Sequence, residues 1–151
     1  MQRTIDEGLL DVVVQEGILE GGNAHLFFLN SETLKIEKTL RVFDQNGQGV
    51  MGMNELEYVN GQIYANIFPL NQVIRLDATT GCENGIADLS ELADAQDCLH
   101  YPIACALDSV LNGIAYDAQS RHFFITGKSW PLVFVGQFYE PKERLILPSQ
   151  D

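Results

Sequence analysis

Two pairs of segments in this sequence repeat each other, and that self-similarity limits the fold more than any other feature. Residues 25–43, "HLFFLNSETLKIEKTLRVF", and 72–90, "QVIRLDATTGCENGIADLS", begin 47 positions apart and share a strand, a polar turn with threonine and a second strand. Residues 53–67, "MNELEYVNGQIYANI", and 111–127, "LNGIAYDAQSRHFFITG", begin 58 positions apart; both run from an asparagine through an apolar residue to a tyrosine, a turn and a second apolar strand. The 11-residue difference falls in one place, the loop at 91–109. The segments are short, rich in aromatic and β-branched residues, and separated by turn chemistry, which predicts an all-β chain. The one helical signal is "SELADAQD", Ser90 to Asp97, read as a short helix inside a loop with Ser or Asp as its cap.

A repeat of about four antiparallel strands in about 45 to 60 residues has the size of a β-propeller blade. One blade cannot bury both of its faces, so blades stack around an axis, and about four are needed to close a ring. The sequence predicts blades near 8–43, 53–90 and 111–138, an insertion loop at 91–109 and a tail at 139–151. That is two and a half to three blades, so the chain is expected either to belong to a longer protein or to self-associate through its unpaired faces.

Charge and composition remove several function classes. The net charge is −12, from 21 acids against nine Lys and Arg. It would repel a phosphate backbone, so nucleic acid and anionic membrane are not expected partners. No window approaches the roughly 18 apolar residues of a membrane-spanning helix. Residues 1–21 lack the basic then apolar run of a signal peptide, so the sequence as given reads as soluble and without an export signal. Cys82, Cys98 and Cys105 form no CxxC pair, and His25, His100 and His122 are scattered, so no metal site is expected. Cys98 and Cys105 can bridge a loop in an oxidising compartment or remain free thiols.

In a propeller the first strand of each blade lines the axis, and polar residues at equivalent positions of successive blades can meet there. Asn54 and Asn112 open such strands. Simple alternation places Glu55 and Glu57 on one face and Leu56 and Tyr58 on the other. Asn54 and Glu55 either point into a central funnel, or cap a strand start and sit in solvent. In "FFITGKSWP", Lys128 is either an exposed turn lysine or a cation reaching over a pocket mouth. Trp130 before Pro131 is either a lid or packing between blades, and Phe68 either a pocket wall or core.

Taken together, "MNELEYVNGQIYANIF", "QVIRLDATTG", "IADLS" and "VLNGIAYDAQSRHFFITGKSWPLVF" resemble the C-terminal half of the glutamine cyclotransferase family, glutaminyl-peptide cyclotransferases of plant and bacterial type. The resemblance covers roughly residues 20–138. It implies a five-bladed propeller and an enzyme that converts the N-terminal glutamine of peptides to pyroglutamate with release of ammonia and no cofactor. It also implies a secretory location, and it places Asn54 and Lys128 at the amide-polarising positions, with Phe68, Glu55, Trp130 and Asn112 around the substrate. The family tryptophan of the "ANxW" segment is Phe68 here, followed by Pro69 and Leu70 where the family is polar. The family's catalytic glutamate lies in N-terminal segments that this sequence does not contain; "DEGLLDVVV" resembles a remnant of one, with no role assigned to Glu7. The alternative to an enzyme is a non-catalytic propeller fragment that serves as a binding module.

Overall fold

The computed structural model describes residues 2–6, 9–19, 23–30, 32–96, 100 and 109–139, with the first 24 described as backbone only. Glu7, Cys98, Cys105, most of the 91–109 loop and nearly all of the 139–151 tail lie outside the described residues. What is described is almost wholly β-structure in three antiparallel sheets. The first holds β1 (Gln2–Asp6), β2 (Leu9–Leu19), β3 (Asn23–Leu29) and β4 (Ile36–Arg41) in that order. The second holds β5 (Met53–Val59), β6 (Gln62–Ile67), β7 (Gln72–Asp77) and β8 (Glu83–Asp88). The third holds β9 (Leu111–Asp117), β10 (His122–Gly127) and the short β11 (Phe134–Gly136).

Both sequence repeats map onto equivalent strands. The 47-residue offset carries β3 and β4 onto β7 and β8, and the threonine turn it contains is the same device twice. Asn30 Oδ1 accepts the N–H groups of Glu32 and Thr33 and the Thr33 hydroxyl. Asp77 Oδ1 accepts those of Thr79 and Thr80 and the Thr80 hydroxyl. A short acceptor at the strand end thus replaces the backbone partners lost at the turn. The same bonds hold the Asp77 carboxyl below the usual carboxylate range.

The sheets stack face to face, with the second in the middle. Leu26 and Val42 of the first sheet and its exit pack on Met53, Leu56, Ile63, Ala65, Ile67, Ile74 and Leu76. The opposite face of the second sheet, through Val73 with Val59 and Tyr64, packs on Leu111, Ile114, Phe123, Ile125 and Trp130 of the third. Alternation along β6 explains how one strand serves both layers: Ile63, Ala65 and Ile67 turn one way, Tyr64 and Asn66 the other. Across the sheets β5 touches β1 on one side and β9 on the other, so the first strands gather along one line. Backbone bonds from Phe43 to Gly81 and from Glu83 to Phe43, 3.0 and 2.8 Å, tie the first sheet to the second at its far edge. Gly81 has φ 75°, and a Cβ there would collide with the Arg41 carbonyl, so glycine is required.

The helix α1 (Ser90–Asp94) is shorter than the sequence suggests, and Ser90 is not its cap. Asp88 accepts the Ser90 N–H and hydroxyl at 2.9 and 2.6 Å, and Leu89 occupies the cap position. The far face of the third sheet is open: Phe124 and its neighbour across the ladder, Val135, are 39% and 58% exposed.

Candidate active site

The residues singled out in the sequence collect at one end of the stack, where β5 and β9 begin and β6 and β10 end. Each first strand enters its sheet with the same irregularity. Met53 faces Ile67 and Leu56 faces Ala65, so Asn54 and Glu55 together oppose the single residue Asn66. Leu111 faces Gly127 and Ile114 faces Ile125, so Asn112 and Gly113 together oppose Thr126. A two-against-one bulge bends the strand and re-aims its side chains. It explains why Met53 and Leu56, three residues apart, both enter the same core layer, against simple alternation from Met53 onward.

Asn66 holds the two bulges together. It is fully buried; its Oδ1 accepts the Glu55 N–H at 2.8 Å and its Nδ2 donates to the Leu111 carbonyl at 3.1 Å. One side chain therefore spans the second and third sheets at the level of both asparagines. Asn71 adds a second link, its Oδ1 accepting the Leu111 N–H at 3.2 Å. Asn54 is exposed and Glu55 half-buried. Asn112 is half-buried, and its Nδ2 is enclosed with no acceptor among the described residues. An enclosed donor without a partner costs on the order of 1–3 kcal/mol.

The turn after β10 is rigid for reasons visible in its sequence. The Lys128 N–H donates to the Val110 carbonyl at 2.9 Å, and its carbonyl accepts the Ser109 hydroxyl at 2.8 Å. Ser129 adopts φ 59°, and the chain folds back so that the Trp130 ring lies on Gly127. A Cβ at Gly127 would overlap that ring and come within 2.6 Å of the Val110 carbonyl, so only glycine fits. Trp130 is 9% exposed, meets Phe134 edge to face at 6.1 Å and donates its indole N–H to the Ser109 carbonyl at 3.2 Å. Of the two readings of Trp130, the structure places it in packing: it anchors the turn, while the Lys128 side chain is left exposed.

The turn after β6 is built on equivalent ground. Phe68 follows Ile67 as Lys128 follows Gly127, and its N–H donates to the Gly52 carbonyl at 2.6 Å. Gly52, at φ 77°, has no room for a side chain against the Phe68 carbonyl. Phe68 is 42% exposed, and the Lys128 ammonium stands 4.4 Å from the centre of its ring. The structure thus brings Phe68 and Lys128 into direct contact across two sheets, with Asn54, Glu55 and Asn112 on the adjoining strand starts.

Glu57, which simple alternation puts on the same face as Glu55, lies at the junction of β5 and β9. Burial pushes its carboxyl up to about 7, opposed by the bond it accepts from the Tyr116 N–H. The available signal was that both Leu56 and Val59 flank it, which marks a strand covered on both faces. Among the described residues no three His, Cys, Asp or Glu side chains converge as a metal site. A cavity of about 270 Å³ opens elsewhere, between β7, β8 and residues 138–139, and none of the predicted site residues lines it.

Comparison with known proteins gives consistent results. The family described as glutamine cyclotransferase matches residues 13–138. The chain is similar to a glutaminyl-peptide cyclotransferase of Arabidopsis thaliana, 32% identical over 113 residues, covering 75% of this chain and 34% of that protein. It is also similar to the crystal structure of Myxococcus xanthus glutaminyl cyclase, with TM-score 0.66 and 36% identity over 74% of this chain and 46% of that one. The chain therefore spans about a third of the curated relative and less than half of the solved structure.

Proposed function

Because the chain belongs to the glutamine cyclotransferase family, we propose that it acts as a glutaminyl-peptide cyclotransferase and supplies the carboxamide-polarising part of the site. In this reading its three sheets are consecutive blades of a five-bladed propeller, and the substrates are peptides or proteins that begin with glutamine. The observation that carries it is the exposed Lys128 ammonium, held beside the bulged starts of β5 and β9 where Asn54 and Asn112 sit.

The chemistry needs such donors. The free α-amine attacks the γ-carboxamide carbon of its own residue, forming the ring C–N bond and placing negative charge on the carbonyl oxygen. The amine then loses a proton, the carboxamide nitrogen gains one, the C–N bond to it breaks and ammonia leaves. Lys128 and Asn54 stabilise the oxyanion, and Asn112 stands at the start of the adjoining strand. Donors aimed at developing charge in a partly desolvated site are worth more than in water, because they need no reorganisation as the charge forms. Holding the five-membered ring closure in reach supplies the remaining part of the rate. The proton passes through a carboxylate, which the resemblance places in family segments outside this sequence.

The test is ammonia release and pyroglutamate formation from a Gln-initiated dipeptide, with the unaltered chain and Lys128→Ala compared at equal folded concentration. Loss of one oxyanion donor lowers kcat by about 10²–10³. Equal turnover by both proteins would remove Lys128 from the site, and no turnover by the folded unaltered chain would refute the activity for this chain.

A further inference from the structure

We infer that Phe68 is a positioning residue for Lys128, fixing its ammonium at the rim of the site, rather than a wall against which the substrate stacks. The inference rests on the proposed function for its catalytic part and on geometry alone for the rest. The Lys128 ammonium is 4.4 Å from the Phe68 ring centre, close enough for the cation to be held by the ring's negative face. A cation in that place occupies one face of the ring, and a substrate side chain cannot stack on that face. The 42% of Phe68 that remains exposed is area left with Lys128 already in place.

Both partners are presented by backbones that have little freedom to drift. Phe68 is pinned by its bond to Gly52, and Leu70, two residues on, donates to the Ile67 carbonyl at 2.7 Å. Lys128 is pinned at both its N–H and its carbonyl, by Val110 and Ser109. The two residues sit at equivalent positions of adjacent sheets, one step beyond the strand residues that face Met53 and Leu111. A lysine stem has four rotatable bonds and loses substantial rotamer freedom when it is held. The ring supplies the holding interaction at no cost in charge, since it neither neutralises the ammonium nor uses its hydrogen-bond donors. All three N–H groups remain available to a carbonyl oxygen.

A positioning role and a stacking role predict different kinetics. If the ring holds the cation where charge develops, its loss affects the transition state and lowers kcat. If the ring stacks on substrate, its loss weakens ground and transition states alike and raises KM.

The experiment combines a spectroscopic and a kinetic reading on the 151-residue chain. In lysine-labelled protein the Lys128 Hε resonances, assigned by their loss in Lys128→Arg, are expected upfield of those of the other lysines because they lie over an aromatic face. Phe68→Leu keeps an apolar side chain and removes the ring; it should return these resonances to ordinary positions and lower kcat about two- to fivefold with KM little changed. Phe68→Trp offers a stronger cation-binding face and should recover the upfield position and the kcat lost in Phe68→Leu. Ordinary Lys128 resonances in the unaltered chain, or a Phe68→Leu effect confined to KM, would overturn the inference. Upfield resonances that respond to both substitutions, in a chain without turnover, would support the pairing and overturn the proposed activity instead.

Discussion

Glu57→Gln should stabilise the fold at alkaline pH and have almost no effect at acid pH. The carboxyl is held at about 7 against an ordinary 4.5 because it is buried at the junction of β5 and β9, with only the Tyr116 N–H favouring its charged form. Between those two values the folded chain binds the proton more tightly than the unfolded chain, so this residue's contribution to stability falls as pH rises. The penalty is absent below 4.5 and complete above 7. At about 1.4 kcal/mol per pKa unit the whole difference is about 3 kcal/mol. The side chain is partly solvated, and screening leaves about 1–2 kcal/mol of it. Glutamine keeps an acceptor for Tyr116 and cannot ionise. Urea unfolding followed through Trp130 fluorescence reports on the same interface, since Trp130 is the chain's one tryptophan and lies in that core. The difference in stability between Glu57→Gln and the unaltered chain should be near zero at pH 4.5 and about 1–2 kcal/mol in favour of the variant at pH 8.5. A difference that does not change with pH would refute the burial argument. Subtracting the two proteins at each pH removes the contributions of Asp44, Asp77, Asp88 and Asp117, whose lowered values act in the opposite direction.

Other substitutions probe the supports of the site. Gly127→Ala places a methyl group in the Trp130 ring and against Val110, and should cost about 1–3 kcal/mol in urea unfolding; an unchanged midpoint would mean the turn does not have this packing. Asn66→Ala removes the bond to the Leu111 carbonyl of the third sheet and leaves the Glu55 N–H without its acceptor inside the second, for a loss of about 1–3 kcal/mol. An Asn66→Ala chain as stable as the unaltered one would show that the Asn66 bonds do not contribute to holding the two sheets together. The open face around Phe124 and Val135 should drive concentration-dependent association in light scattering, reduced by Phe124→Lys; a monomer at all concentrations would contradict that.

The strands and their repetition were readable because they depend on residue type and spacing. The 47-residue offset finds the third and fourth strands of adjacent sheets, and the Asn30 and Asp77 turns repeat because each needs a short acceptor followed by threonine. The contact between Phe68 and Lys128 was hidden by a length difference. The first strands β5 and β9 align at an offset of 58, but the turn at 118–121 is two residues longer than Asn60-Gly61, so the strand ends align at 60. The bulges were also invisible, because strict alternation assumes an unbroken ladder and nothing in "MNELEY" marks the extra residue. Asn66 carried no signal at all: its role exists only once a second sheet brings the Leu111 carbonyl within reach. Trp130 is conspicuous in the sequence as the one tryptophan, directly before Pro131, but its burial depends on the fold-back that Ser129 permits at φ 59°.

The most direct test of where the carboxamide binds is an amide chemical-shift footprint of the labelled chain, titrated with a Gln-initiated dipeptide and with the matching Glu-initiated dipeptide as control. Perturbations centred on Asn54, Asn112 with its side-chain NH₂, Phe68 and Lys128, given by the glutamine peptide alone, are the predicted result. Perturbations confined to the separate cavity at Arg75, Asn84 and Phe138, or equal effects from both peptides, would contradict it.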